Sequence, residues 1–145
     1  MQISPILLVE DRPDDVFLLH SLLERWGATS SLHVVQDGER AIEYLSGTGV
    51  YADRELHPFP KLVLLDLHLP RVSGQEVLAW IRGRYHPTQL PVVTLSGSNY
   101  YLKIVELFNL GADHYVVKSA SPDRLHTALA GFNSSAHQTA NGPSV

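Results

Sequence analysis

Lys61-Leu62-Val63-Leu64-Leu65-Asp66 is the stretch on which the fold of this chain turns. Four apolar residues in succession, without alternation, fit a strand buried on both faces, as the central strands of a parallel sheet are. Two other runs share this form. Ile6-Leu7-Leu8-Val9 ends in Glu10-Asp11, and Tyr115-Val116-Val117 ends in Lys118. A charge closing each strand marks the carboxyl edge of the sheet, where open α/β folds place their clefts.

Outward from these runs, strand and helix patterns alternate five times. The strand at about 5–9 precedes a helix opened by Pro13, in which Val16, Leu19, Leu22, Leu23 and Trp26 recur at three-to-four spacing before Gly27 stops it. A second strand, about 32–36, gives way at Asp37-Gly38 to a short helix with Ala41, Ile42 and Leu45. Glycines and prolines then break all periodicity from 46 to 60, which predicts an extended surface loop. Loops of that length are uncommon unless they are functional or mobile. After the 61–66 strand, Ser73 and Glu76 form a capping-box signature for a helix bearing Val77, Leu78, Trp80 and Ile81. The fourth strand, 91–96, leads to a helix capped by Ser98, with Leu102, Val105 and Phe108 as its apolar face and Gly111 at its end. A fifth strand covers 114–117, and Ser121-Pro122-Asp123 opens a last helix with Leu125, Ala128, Leu129 and Phe132.

Five such units predict a doubly wound α/β domain over residues 1–133, a five-stranded parallel sheet in the order 2-1-3-4-5 covered by helices on both faces. Residues 134–145 are small, polar and aperiodic, which predicts a disordered tail.

Bulk composition narrows the function. At 145 residues and 44% hydrophobic, the chain suits one globular domain with a sizeable core. Its eleven cations are scattered and its net charge is −4, which speaks against a nucleic-acid partner. The absence of cysteine excludes disulfides, thiolate chemistry and sulfur-ligated metals. Met1-Gln2-Ile3-Ser4-Pro5 lacks the marks of a secretory signal, and no apolar run approaches the ~18 residues of a membrane span. The cytoplasm is the expected compartment, with no membrane association. None of the eight histidines stands three or four residues from another, so they suggest no metal site.

Strands one and three are neighbours in that order, so Glu10, Asp11 and Asp66 are expected together. Each residue alone has an ordinary explanation. A strand-end aspartate caps a turn, acids opening a helix answer its dipole, and lysines are usually exposed. Asp14 and Asp15 are assigned to the dipole role. Ser96 reads equally as a helix cap, and Tyr115 as an aromatic packed on a neighbouring helix. The neighbourhood alters this balance, because carboxylates crowded into one cleft repel one another unless a cation joins them. An all-oxygen set with few protein ligands suits Mg2+, which keeps waters until a phosphoryl group completes its shell. Lys118, in register with Asp66 and Ser96, can pair with a carboxylate and with a transferred phosphate. The Ser96 hydroxyl can bond a phosphate oxygen.

Four stretches now make a family resemblance visible: Ile6 to Asp11, Leu64 to Pro70 with Gly74, Pro91 to Gly97, and Gly111 to Lys118. In this order and spacing they resemble the receiver domain of two-component response regulators, over nearly the whole chain apart from the tail. The resemblance implies a flavodoxin-like three-layer sandwich and Mg2+-dependent acceptance of a phosphoryl group by Asp66 from a phosphohistidine of a partner histidine kinase. It implies that Asp11 holds the ion directly, Glu10 through water, and His68 through its backbone carbonyl. Ser96 and Tyr115 match the switch pair, and Lys118 the family lysine. The 46–60 loop, with Val50-Tyr51-Ala52-Asp53, further resembles small single-domain regulators that serve bacteriophytochrome-type kinases. Output is then expected through protein–protein contact, with a homodimer possible and no separate substrate turned over. His68 and Ser98 border the acceptor and are expected to tune hydrolysis.

One position departs. Ser119 follows the lysine where the family carries a proline with a cis bond. A cis bond costs ~3–4 kcal/mol before a non-proline residue and ~1 or less before proline. Either the strain is kept or Lys118 sits differently, and the second outcome favours an interaction module that works without phosphorylation. A Mg2+-dependent phosphatase with an aspartyl nucleophile is disfavoured, because such enzymes need an acid two residues on, where His68 stands. A flavin carrier is disfavoured by the acidic loop Glu10-Asp11-Arg12-Pro13-Asp14-Asp15, which would repel phosphate.

Overall fold

The computed structural model describes residues 5–27, 31–97, 101–118 and 123–130. Five strands, β1 (Ile6–Val9), β2 (Leu32–Val35), β3 (Leu62–Asp66), β4 (Val92–Ser96) and β5 (His114–Val117), form one sheet in the order β2-β1-β3-β4-β5. Every pairing is parallel. The helices are α1 (Pro13–Arg25), α2 (Gly38–Ser46), α3 (Gly74–Arg82) and α4 (Tyr101–Asn109), with residues 123–130 helical as α5.

Burial follows from the side-chain alternation of the strands. β1, β3 and β4 are buried at every position, whereas β2 and β5 are edge strands with partly exposed residues. Leu7, Val9, Val63 and Leu65 point to one face, where they meet Ala41, Tyr44 and Leu45 of α2, Val77, Leu78 and Ile81 of α3, and Leu107 of α4. Ile6, Leu8, Leu62 and Leu64 point to the other, against Leu19, Leu22 and Leu23 of α1 and Leu125, Ala128 and Leu129 of α5. Both faces being covered is why these strands read as unbroken apolar runs.

Local signals set the helix ends. Pro13 opens α1, and Gly27 follows it at φ +70°. Asp37 caps α2 by accepting from the Arg40 amide at 2.8 Å. The Ser73–Glu76 box opens α3, with Ser73 Oγ accepting the Glu76 amide at 3.2 Å and Glu76 Oε1 the Ser73 amide at 3.5 Å.

Two expectations need correction. The 46–60 segment is not simply extended: Gly49–Tyr51 form a 3-10 turn, and Arg54 pins the rest. Its Nη1 donates to the carbonyls of Tyr44 at 2.8 Å and His57 at 3.1 Å, and its Nη2 to that of Leu45 at 2.9 Å. One guanidinium thus serves two of the last carbonyls of α2, those of Tyr44 and Leu45, a tie that no periodicity reveals. Among the described side chains of α4 the buried position is Leu107, while Val105 and Phe108 remain 37% and 47% exposed. Apolar residues occupy two adjacent phases of this segment, Val105–Phe108 and Ile104–Leu107–Leu110, and packing on the core selected the second. The Ser98 cap, the Ser121-Pro122 start, Leu102, Phe132 and the 134–145 tail lie outside the described residues or side chains.

Candidate functional site

The β1–β3 register pairs Val9 with Leu65, so the residues that follow, Glu10 and Asp66, emerge side by side at the carboxyl edge. Both are fully buried, and Asp11 beside them is exposed. One carboxylate oxygen from each of the three lies within 4.8 Å of the others. Asp66 is oriented by its own loop, its Oδ1 accepting the His68 amide at 3.1 Å.

Lys118 reaches this cluster from β5. Its amide donates to the Ser96 carbonyl at 2.7 Å, anchoring the backbone just past the strand. Its Nζ stands 2.8 Å from Glu10 Oε1, 2.8 Å from Asp15 Oδ2 and 3.2 Å from Asp66 Oδ2. Burial works against the ammonium's charge, yet Asp15, Glu10 and Asp66 outweigh it and hold the lysine above its usual range. Burial, reinforced by the Asp66 carboxylate, pushes Glu10 up to about 7 despite the nearby lysine.

The cluster therefore holds more negative charge than one ammonium offsets. Glu10 Oε1 and Asp66 Oδ2 are buried, with no hydrogen bond beyond the ionic contact to Lys118. Buried oxygens left short of donors, in an all-carboxylate set, fit a hard divalent cation.

The site expected from sequence is thus brought together at Glu10, Asp11, Asp66 and Lys118. Ser96 is buried at the end of β4 beside them. Tyr115 packs against the α2–α3–α4 side of the core, its hydroxyl buried without a partner. His68 contributes its amide to Asp66, and its imidazole is exposed. Ser98 and Ser119 lie outside the described residues. Asp15 is the residue the sequence misassigned: it does more than answer the helix dipole, since it takes one of the Lys118 contacts. No sequence signal marked it, because the contact joins residues 103 apart.

The profile of the response regulator receiver domain matches residues 6–130. The chain belongs to the response regulator receiver family. Receivers act in two-component signalling, bind a divalent metal, and accept a phosphoryl group on an aspartate from a histidine kinase. Response regulator Rcp1 of Synechocystis sp. is 34% identical to this receiver over 89% of its chain and 86% of the relative. A Mn2+-bound structure of response regulator Rcp1 superposes with a TM-score of 0.68 at 35% identity, covering 89% of this chain and 91% of that one. The bacteriophytochrome response regulator RtBRR gives 0.77 at 38% identity, covering 89% and 77%. A phosphorylated cyanobacterial phytochrome response regulator, RcpA, gives 0.72 at 36% identity, covering 88% and 89%.

Proposed function

We propose that this receiver accepts a phosphoryl group on Asp66 from the phosphohistidine of a bacteriophytochrome-type sensor kinase, in a Mg2+-dependent reaction, and signals by protein–protein contact. The observation that carries this is the fully buried Asp66 carboxylate, ringed by Glu10 and Asp11 within 4.8 Å and faced by Lys118 at 3.2 Å. Its similarity to RtBRR and RcpA supports the choice of kinase class.

Asp66 Oδ2 attacks phosphorus in line, forming the O–P bond as the P–N bond to the kinase imidazole breaks and the freed ring takes up a proton. Lys118 then exchanges a carboxylate contact for a phosphoryl oxygen. Mg2+ when bound neutralises charge on the phosphoryl oxygens, held by Asp11, by Asp66, by the His68 carbonyl, and by Glu10 through water. The Ser96 hydroxyl turns toward the acyl phosphate, and the Tyr115 ring follows into the space it leaves. That pair biases the surface of α4, β5 and α5, which we assign as the output face and the seat of any homodimer. His68 and Ser98 border the acyl phosphate and tune its hydrolysis. No separate substrate is turned over. The cytoplasm, where such kinases present their phosphohistidine, is the compartment we assign. Among the described residues no helix is long and apolar enough to cross a membrane. The position of Lys118 within the acidic cluster speaks against a module that has lost its chemistry.

Incubation with Mg2+ and acetyl phosphate, followed by intact-mass measurement, tests the assignment. The native chain should gain one phosphate and Asp66→Asn none. Uptake by Asp66→Asn overturns it.

A further inference from the structure

Arg71 lies in the loop between β3 and α3, five residues past Asp66, and among the described residues it alone combines a side chain with a positive φ, 64°. A Cβ in the left-handed region crowds the neighbouring carbonyl, and such residues persist only where surrounding contacts over-determine them. Glycine or asparagine would adopt this turn at lower cost. What arginine adds is a guanidinium that reaches another element. Its Nη2 donates to Asp37 Oδ2 at 2.7 Å. Asp37 is buried and caps α2 through its Oδ1, and its Oδ2 also lies 3.5 Å from Arg40 Nε. The turn after the acceptor is thereby tied to the first turn of α2.

The backbone on either side of Arg71 is closely fitted. Gly74 N donates to the Leu67 carbonyl at 3.2 Å, and a Cβ at Gly74 would stand 2.5 Å from the Asp66 carbonyl oxygen. A Cβ at Gly38, next to Asp37, would stand 2.5 Å from the Val72 carbonyl oxygen. Loop 66–74 therefore rests directly on the N-terminus of α2. The same loop carries the His68 amide that orients Asp66 at 3.1 Å.

We propose that Arg71 is a positioning residue for the acceptor: its ion pair with Asp37 holds the left-handed turn that keeps the His68 amide on Asp66. This rests on Asp66 being the acceptor. The Arg71 side chain is 65% exposed, and exposed ion pairs add little to stability, so the pair acts on orientation more than on folding.

Arg71→Ala removes the pair, Arg71→Gly removes it while favouring the left-handed turn, and Asp37→Asn keeps an α2 cap without the charge. Two readouts serve: hydrogen exchange of the His68 amide in ion-free protein, and the initial rate of phosphate uptake from acetyl phosphate at saturating Mg2+. Arg71→Ala and Asp37→Asn should each slow uptake about tenfold and speed His68 exchange by a similar factor, with Arg71→Gly intermediate. The double variant Asp37→Asn/Arg71→Ala should be no worse than either single change, because both break one interaction. Native exchange and uptake in Arg71→Ala overturn the proposal, as does full native behaviour in Arg71→Gly or losses that multiply in the double variant. A native chain that takes up no phosphate defeats the acceptor assignment instead, and His68 exchange still decides what Arg71 does.

Discussion

Each end of the sheet holds a partly buried cation beside carboxylate, and the two are balanced in opposite ways. At the amino end Arg82, closing α3, donates through Nε to the Gly111 carbonyl at 2.7 Å, through Nη1 to those of Leu90 at 2.7 Å and Tyr85 at 3.3 Å, and through Nη2 to Asp113 Oδ2 at 2.6 Å. Asp113 Oδ2 also accepts the Val92 amide at 2.8 Å. One cation meets one carboxylate, and backbone carbonyls take three more of its donors. At the carboxyl end a single ammonium is shared by Glu10, Asp15 and Asp66, with Asp11 close by, and two buried oxygens are left without hydrogen bonds. The first cluster needs nothing more and clasps α3, β4 and β5 together. The second is left in charge deficit, which is the condition for taking up a cation and then a phosphoryl group. A buried ion pair alone does not mark a functional site; unmatched charge and under-donated oxygens do.

The sharpest contrast is in activity. Asp66→Asn should abolish phosphate uptake while raising Tm in ion-free protein, because it removes a negative charge from a crowded pocket; a fall in Tm would deny that the pocket is electrostatically strained. Arg82→Met should do the reverse. Losing the cation leaves Asp113 unpaired, and urea unfolding should show a loss of about 3–5 kcal/mol, with Mg2+ affinity by calorimetry unchanged. If Arg82→Met instead weakened Mg2+ binding, the two ends would not be separable. Lys118→Met should slow uptake at saturating Mg2+ by about a hundredfold, the scale of removing one donor aimed at developing charge; a native rate would place the lysine outside the chemistry.

The smallest effect is a pH slope. Glu10 is held up to about 7 from an ordinary 4.5, so between those values the folded chain keeps a proton that the unfolded chain has lost. Stability contributed by that proton is greatest below about 4.5 and is lost as pH rises through about 7. Ion-free protein should therefore melt a few degrees lower at the upper end of this window, and Glu10→Gln should flatten the slope. Saturating Mg2+ should flatten it too, since bound cation favours the ionised carboxylate. A slope of the opposite sign would show that Glu10 is stabilised by its neighbours and not strained by burial.

The strand order and most of the acidic cluster were legible because Glu10, Asp66 and Lys118 each close or adjoin an apolar run, and parallel strands carry such endings to one edge. Asp15 was not legible. Its contact with Lys118 spans 103 residues and depends on how α1 lies across the sheet. The Arg54 tie across the 46–60 loop and the Arg71–Asp37 pair escaped for a similar reason: an arginine's partner is set by where its long side chain arrives, and spacing along the chain carries no record of that.

By itself the sequence determined the period-based elements, the parallel sheet and the gathering of carboxylates, because burial on two faces and charge at strand ends are local properties of residue order. Only the tertiary structure decided how the charges are shared: which acids Lys118 meets, which oxygens lack donors, and how Arg82 finds four acceptors while oxygens of the Asp66 pocket lack donors. Ion pairing depends on distances of a few ångströms between distant segments, and packing alone fixes those distances.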